Sequence, residues 1–244
     1  MARRKKTLKN IDKYLIRKSK EEDATCAQAV LSVIQRLEND PKFPGLKIFN
    51  VHRLYNKVIV EKLKRKYPNV PFGQPKDSTY IMPDGGVTYI TDLKEENIYP
   101  ILIVEMKSQG TNDELEEKGL SPQARGNAIE RLGKNVICFR TFLMDEGIMP
   151  FVCFGDGCDF DQSSNSTIPD RVLTISMYGK LNEDQLFNKG AFNRGSFFFR
   201  NNTWTKEEIE EKAYNIAKRS IYYYILKYGE DNFIKKDSNA VSNT

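Results

Sequence analysis

Three charged residues stand where the ends of two strands could bring them together. Asp84 follows Pro83 in the turn Pro-Asp-Gly-Gly, and Glu105 and Lys107 close the apolar run ILIV at its carboxyl end. Side chains alternate along a strand, so Glu105 and Lys107 are predicted to point to the same face of a sheet. If the two strands are neighbours, Asp84, Glu105 and Lys107 meet around one point.

Two carboxylates and a lysine around one point form the minimal set for metal-assisted hydrolysis of a phosphodiester. Mg²⁺ takes carboxylate oxygens, keeps several waters and accepts phosphate oxygens from a substrate. Lys107 would orient or deprotonate the attacking water and offset charge on the phosphorus. The alternative is an ordinary hairpin turn followed by a chance Glu-x-Lys triplet. Two charges directly after four apolar residues favour the nuclease interpretation, because burying them is costly without a function.

A polar stripe opens the helix that the spacing predicts over Asn127 to Met144. The stripe consists of Asn127, Glu130, Arg131 and Lys134, at spacings i, i+3, i+4 and i+7. The opposite stripe is apolar and consists of Ala128, Leu132, Val136, Phe139 and Leu143. Asn, Glu and Arg side chains presented together are suited to the edges of bases in the major groove of DNA.

The same first turn also has a purely structural interpretation. Asn127 could cap the helix with Glu130 as its capping-box partner, and Arg125 and Arg131 would then be solvated. The residues alone leave both interpretations open.

Three blocks of the sequence, in their order and spacing, closely resemble the EcoRI and MunI family of type II restriction endonucleases. The blocks are PDGG at 83–86, ILIVEMKSQG at 101–110 and GNAIER at 126–131. The resemblance is good over 81–134, and a weaker likeness to MunI extends over 192–229. The GNAIER block is far more specific than the generic nuclease pattern of the other two blocks.

The resemblance implies an α/β protein with the PD-(D/E)xK fold of restriction endonucleases, in which helices flank a central mixed sheet of about five strands. It implies a homodimer that cleaves double-stranded DNA with Mg²⁺ at a palindrome with an AATT core, leaving 5′-phosphate ends and four-base 5′ overhangs. Asp84, Glu105 and the backbone carbonyl of Met106 would hold the metal, and Lys107 would be the catalytic lysine beside them. A cognate DNA methyltransferase of the same restriction-modification system is the expected functional partner.

The resemblance also implies which residues contact DNA. Asn127, Glu130 and Arg131 would read the inner bases, and Ala124 and Arg125 would face the outer base pair. MunI resembles this chain in having Arg before Gly-Asn, and an arginine can bind guanine bidentately, so CAATTG is favoured over GAATTC. Independently of the resemblance, their positive charge makes the following residues expected contacts with the DNA backbone: Lys134, Arg194, Arg200, Arg3, Arg4, Lys5 and Lys6.

The first 20 residues form a basic arm. They carry nine Lys and Arg side chains against Asp12 alone, a net charge of +8, whereas the whole chain of 244 residues carries +5 and its remainder therefore −3. Each basic side chain that neutralises a phosphate releases a condensed counterion, so the arm predicts a polyanionic partner. A solvated, partly disordered tail is the alternative.

The length and the patterning favour one domain at 21–229 between the basic arm at 1–20 and a polar tail at 230–244. Helices are predicted over 21–37, 51–66 and 127–144, and from a capping box at Thr205 to Gly229. Strands are predicted at 78–82, 87–90, 99–107, 149–155, 172–177 and 196–200.

The composition argues against several other classes of protein. The chain has one His and four Cys without a CxxC pair, which speaks against zinc fingers, HExxH and HNH sites and disulfide scaffolds. No apolar run approaches the ~18 residues that a membrane span needs, so a cytoplasmic protein is expected. Two other functions stay open: a structure-specific repair or recombination nuclease on the same fold, and a sequence-specific DNA-binding protein that does not cleave.

Overall fold

The computed structural model describes most of the predicted domain. The described residues are 21, 23–108, 119, 125–157, 160, 180–187 and 193–235, without the side chains of residues 108 and 125–129. The basic arm at 1–20 and the strand predicted at 172–177 lie outside the described residues.

A mixed sheet of five strands forms the centre of the fold. Its order is β1-β4-β5-β6-β7, with antiparallel pairing from β1 to β5 and parallel pairing from β5 to β7. The strands are β1 (Ile48–Val51), β4 (Gly86–Thr91), β5 (Ile98–Ser108), β6 (Phe151–Asp156) and β7 (Ser196–Arg200). Two short strands, β2 (Leu54–Tyr55) and β3 (Tyr80–Ile81), pair separately. The sheet confirms the predicted fold class.

Helices cover both faces of this sheet. They are α1 over 23–38, α2 (Asn56–Lys66), α3 (Arg125–Phe142) and α4 (Lys206–Tyr228). One apolar core joins α1 and α4 to the sheet, and a second core joins α2 and α3 to the opposite face. The capping box predicted at Thr205 and Glu208 opens α4, and Gly229 follows its last turn.

The middle strand β5 is apolar on both faces because a core lies on each side of it. Leu102, Val104 and Met106 belong to the core under α1 and α4, whereas Ile103 belongs to the core under α2 and α3. A strand that is buried on both faces reads as a continuous apolar run, which is how it was recognisable in the sequence. The alternation also turns Glu105 towards the face covered by α3.

Two boundaries differ from those predicted by more than two residues. The helix predicted over 51–66 begins at Asn56, because Val51 and Leu54 pair in strands instead. Their apolar side chains satisfy helical spacing equally well, so periodicity did not separate the two structures. At the other end, Phe233 and Ile234 are buried in the core, so the polar tail begins later than residue 230.

Among the described residues, no helix is both long and apolar enough to span a membrane.

Candidate active site

A tight turn between β3 and β4 fixes Asp84. The Gly85 amide donates to the Val104 carbonyl at 2.9 Å, and the side-chain amide of Asn50 donates to the Gly85 carbonyl at 3.0 Å. A Cβ atom on Gly85 would lie 2.8 Å from Val104 Cβ and 2.9 Å from Val30 Cγ2. Only glycine fits between β5 and α1 at this position, so Gly85 is required for packing as well as for the turn.

The structure brings Asp84, Glu105 and Lys107 together, as the alternation along β5 predicts. The Lys107 ammonium lies 3.3 Å from Asp84 Oδ2 and 2.5 Å from Glu105 Oε1. It also donates to the Met106 carbonyl oxygen at 2.7 Å. One positive charge is thus surrounded by oxygens of the three groups that were predicted to hold a metal.

The cluster opens from the interior of the protein towards its surface. The exposed fraction of the side chain rises from 4% for Glu105 to 19% for Lys107 and 24% for Asp84. Asp84 Oδ2 also accepts the Met106 amide at 2.8 Å, which fixes its carboxylate against the end of β5. Asp84 is therefore the most accessible side chain of the three.

Burial and mutual charge alter the acidity of the cluster. Burial raises the pKa of Glu105 to about 7, although the Lys107 ammonium acts in the opposite direction. For Lys107, burial lowers the pKa, but the carboxylates of Glu105 and Asp84 outweigh it and raise the pKa above its usual value. Lys107 is therefore an ammonium group in this arrangement and donates hydrogen bonds to the oxygens around it.

The two oxygens of Glu105 have different surroundings. Oε1 accepts from Lys107 and from the side-chain amide of Asn135 at 3.1 Å. Oε2 is buried and has no hydrogen-bond partner among the described residues. A buried carboxylate oxygen without a hydrogen-bond partner is costly unless another group contacts it. A hard divalent cation is a suitable partner, because it prefers carboxylate oxygens as ligands. The residues present therefore fit a metal held by Asp84, Glu105 and the Met106 carbonyl.

A third carboxylate stands close to the cluster at the start of α1. Partial desolvation and the Asp84 carboxylate raise the pKa of Asp23, while Lys107 lowers it. The chain therefore enters the domain beside the cluster, and the basic arm at 1–20 immediately precedes this point. Nothing in the sequence pattern singled out Asp23, because a single acidic residue at a helix start is common.

The predicted base-reading residues lie on α3. The helix begins at Arg125, so Asn127 lies in its first turn rather than in the capping position before it, and the capping interpretation is wrong. Glu130, Arg131 and Lys134 are exposed, as their stripe predicts. The opposite side, including Val136, is buried. The side chains of Arg125 and Asn127, and the whole of Ala124, lie outside the described residues.

The other predicted backbone contacts are not gathered around the cluster. Arg194 lies two residues before β7, at the amino edge of the parallel strands, whereas Glu105 and Lys107 lie at their carboxyl edge. Arg200 binds Glu208 with both terminal nitrogens and stacks on Trp204, with 3.8 Å between guanidinium and ring centre. This network occupies Arg200 within the protein. Arg3, Arg4, Lys5 and Lys6 lie outside the described residues.

Sequence reasoning missed Asn135, which is 8% exposed and contacts Glu105. The sequence did contain an indication of this contact, because Asn135 is a polar residue between Leu132 and Val136 on the apolar side of α3. A polar side chain on a buried helix face needs a partner, and the partner here is 30 residues earlier in the chain.

Comparison with known proteins agrees with this geometry. A family model described as restriction endonuclease EcoRI matches residues 9–186. Type II restriction enzyme RsrI of Cereibacter sphaeroides is 29% identical over 237 residues, covering 83% of this chain and 84% of RsrI. Type II restriction enzyme EcoRI of Escherichia coli is 27% identical over 186 residues, covering 72% of this chain and 62% of EcoRI. The family match includes every described residue of the cluster and of α3.

Proposed function

The chain belongs to the EcoRI family of type II restriction endonucleases, and we propose that Asp84, Glu105 and Lys107 are its catalytic residues. Enzymes of this family act on double-stranded DNA and generally need a divalent metal, for which we propose Mg²⁺. The observation that supports this site is the set of oxygens around Lys107, because Asp84, Glu105 and the Met106 carbonyl converge on one positive charge.

The protein's own groups explain how the phosphodiester would be hydrolysed. Asp84 and Glu105 supply the carboxylate oxygens, and Met106 adds its carbonyl. A bound Mg²⁺ would stabilise negative charge on the phosphoryl group and lower the pKa of a bound water. Lys107 would give up its contacts with these oxygens when they take a cation, and its ammonium would then stabilise charge on the scissile phosphate. In-line attack by water leaves a 5′-phosphate and a 3′-hydroxyl.

A homodimer is the proposed active form. A palindromic site has two-fold symmetry, and two copies related by the same symmetry place one Asp84, Glu105 and Lys107 cluster at each strand. Glu130 and Arg131 are exposed on α3 and are the proposed readers of the AATT core, together with Asn127. Cleavage around this core would leave the four-base 5′ overhangs. A methyltransferase that modifies the same site is the proposed cytoplasmic partner, since it would protect the host DNA.

Digestion of a plasmid of known sequence tests the proposed reaction. The purified protein is incubated with Mg²⁺ and, in parallel, with EDTA, and the ends of all fragments are sequenced. Discrete Mg²⁺-dependent fragments with 5′-AATT overhangs are expected. Random nicking, or cleavage only at branched substrates, would contradict site-specific cleavage, and binding without cleavage would favour the non-cleaving alternative.

We propose CAATTG as the recognition site. Its outer base pair is inferred from Arg125 and from the likeness to MunI in this segment. The wild-type protein and Arg125→Ala are compared on otherwise identical duplexes that contain CAATTG, GAATTC or TAATTA. A bidentate contact between arginine and guanine is worth ~1–3 kcal/mol, so Arg125→Ala should lose its preference for CAATTG. Unchanged discrimination among the three duplexes would exclude Arg125 as the reader of this pair.

A further inference from the structure

Asn135 is placed to control how Glu105 presents its carboxylate. Its side-chain amide donates to Glu105 Oε1 at 3.1 Å, and both side chains are buried. Oε1 is therefore held from two sides, by Asn135 and by Lys107. Oε1 is also the Glu105 oxygen that meets Asp84 and the Met106 carbonyl around the Lys107 ammonium, so Asn135 holds the oxygen that would take the cation.

The hydrogen bond to Lys107 alone would not fix this orientation. Lys107 also contacts Asp84 and the Met106 carbonyl, and the same ammonium must leave when a cation takes these oxygens. Asn135 carries no charge, and among the described residues its amide donates to Glu105 and not to Asp84 or Met106, so cation binding does not compete for this amide. It is the partner of Glu105 that can persist through metal binding.

Asn135 also belongs to the helix that carries the proposed base readers. Glu130 and Arg131 stand about one turn earlier on the exposed side of α3, and Asn135 stands on its buried side. Leu132 and Val136, its neighbours on this side, are buried in the core between α3 and the sheet. The amide is thus held in place by the packing of α3.

We propose that Asn135 is a positioning residue that holds Glu105 Oε1 from α3 and so fixes the orientation in which the carboxylate meets the metal. The proposal rests on the catalytic role proposed for Glu105. Groups that orient metal ligands in this way typically contribute 10–100-fold to metal affinity or activity.

Asn135→Leu tests the proposal, because leucine has a similar volume and fits among Leu132 and Val136. Three quantities are measured for the full chain: Mn²⁺ affinity without DNA, the single-turnover cleavage rate constant against metal concentration, and cognate DNA affinity in EDTA. We expect Mn²⁺ affinity and the rate constant at low metal concentration to fall about 10–100-fold, with DNA affinity unchanged. High metal concentration should restore part of the rate.

Val136→Ala is the matched control, since Val136 is buried on the same helix and its side chain has no polar group that could hydrogen-bond to Glu105. It should lower the thermal unfolding midpoint without changing Mn²⁺ affinity. Equal loss of Mn²⁺ affinity in both variants, or no loss in Asn135→Leu, would overturn the positioning role. Rescue of the metal affinity in Asn135→Gln would support it, since glutamine restores an amide donor.

Glu105→Gln and the double variant Glu105→Gln/Asn135→Leu separate this proposal from the proposed function. If Asn135 acts through Glu105, the double variant binds Mn²⁺ no more weakly than Glu105→Gln alone. Additive losses would contradict action through Glu105. If Glu105→Gln itself binds metal and cleaves like the wild type, the proposed active site fails. If Glu105→Gln fails to cleave and Asn135→Leu is unaffected, only the positioning role fails.

Discussion

The proposed catalytic cluster and the exposed side of α3 are built in opposite ways. Glu105 and Lys107 are largely buried and contact each other, Asp84 and Asn135 within the protein. Among the described residues, by contrast, no hydrogen bond or ion pair holds Glu130 or Arg131, which are exposed. The cluster is therefore assembled by the fold itself, whereas the exposed side of α3 is the surface that we propose to contact DNA.

This difference separates the expected effects of substitution. Changes in the cluster disturb a network of buried charges, so they alter chemistry and stability together. Changes on the exposed side of α3 leave no buried group unsatisfied and should alter recognition alone. Cleavage, recognition and thermal unfolding measured on the same variants can therefore test the comparison directly.

The largest effect is expected from Glu105→Gln, which removes a proposed metal ligand and keeps the side-chain volume. Cleavage under single-turnover conditions should fall about 10³-fold, as expected for loss of a group that stabilises charge in the transition state. Binding to cognate DNA in EDTA should be retained, because the carboxylate is not among the proposed readers. Cleavage at the wild-type rate would show that the buried cluster is not the active site.

Arg131→Ala is expected to weaken the recognition of cognate DNA and to leave the stability of the protein unchanged. Loss of one bidentate base contact costs ~1–3 kcal/mol, so cognate DNA affinity should fall about 5–150-fold. Affinity for unrelated DNA should change much less, and the thermal unfolding midpoint should stay the same because Arg131 is exposed. Fluorescence anisotropy on both DNAs and a thermal melt measure these three quantities. A large drop in the melting temperature would contradict the division between the two regions.

A pH dependence is expected only in the cluster. Burial raises the pKa of Glu105 to about 7 in the metal-free protein, and a metal binds the ionised carboxylate. Mn²⁺ affinity without DNA should therefore rise about tenfold per unit as the pH increases towards 7, and then level off. Electron paramagnetic resonance titration of Mn²⁺ measures it. Glu130→Gln, which removes an exposed carboxylate on α3, should keep the same dependence, whereas Glu105→Gln should lose it.

The free energy of unfolding should change with pH in the opposite direction to the metal affinity. The folded protein binds a proton at Glu105 that the unfolded chain has already released above its ordinary pKa of 4.5. This contribution to the free energy of unfolding is present at low pH and is lost as the pH rises from about 4.5 through 7. Chemical denaturation of metal-free wild type and Glu105→Gln across this range should reveal a difference in slope. Equal slopes would mean that Glu105 titrates normally.

The sequence predicted the cluster well because its signals are local. An apolar run that continues on both faces identifies a middle strand, and the alternation within it puts Glu105 and Lys107 on one side. The turn at Asp84 is likewise a local pattern, and its second requirement, the close packing of Gly85 under α1, coincides with the residue that the turn prefers. The strand and the turn therefore pointed to the same arrangement.

The sequence predicted less where partners are distant in the chain. Val51 pairs with Val87 in the sheet, and no local pattern distinguishes this pairing from the helical spacing that it also satisfies. Asn135 and Glu105 are 30 residues apart, so only the polar residue on the apolar side of α3 could have suggested their contact. Phe233 packs on Tyr99 with ring centres 5.1 Å apart, although the surrounding segment is polar.

The smallest effect is expected from Lys134→Ala, which sharpens the comparison within α3 itself. Lys134 is exposed on the same side as Arg131, but a lysine that contacts a phosphate carries no sequence information. Affinity should therefore fall by a similar factor for cognate and unrelated DNA, and the slope of log K against log salt concentration should decrease by about one. Arg131→Ala, measured over the same salt series, should instead change the ratio of cognate to unrelated affinity. If Lys134→Ala changed that ratio and left the slope intact, Lys134 would be a base reader, and the exposed side of α3 would read DNA over a longer stretch than its first turns.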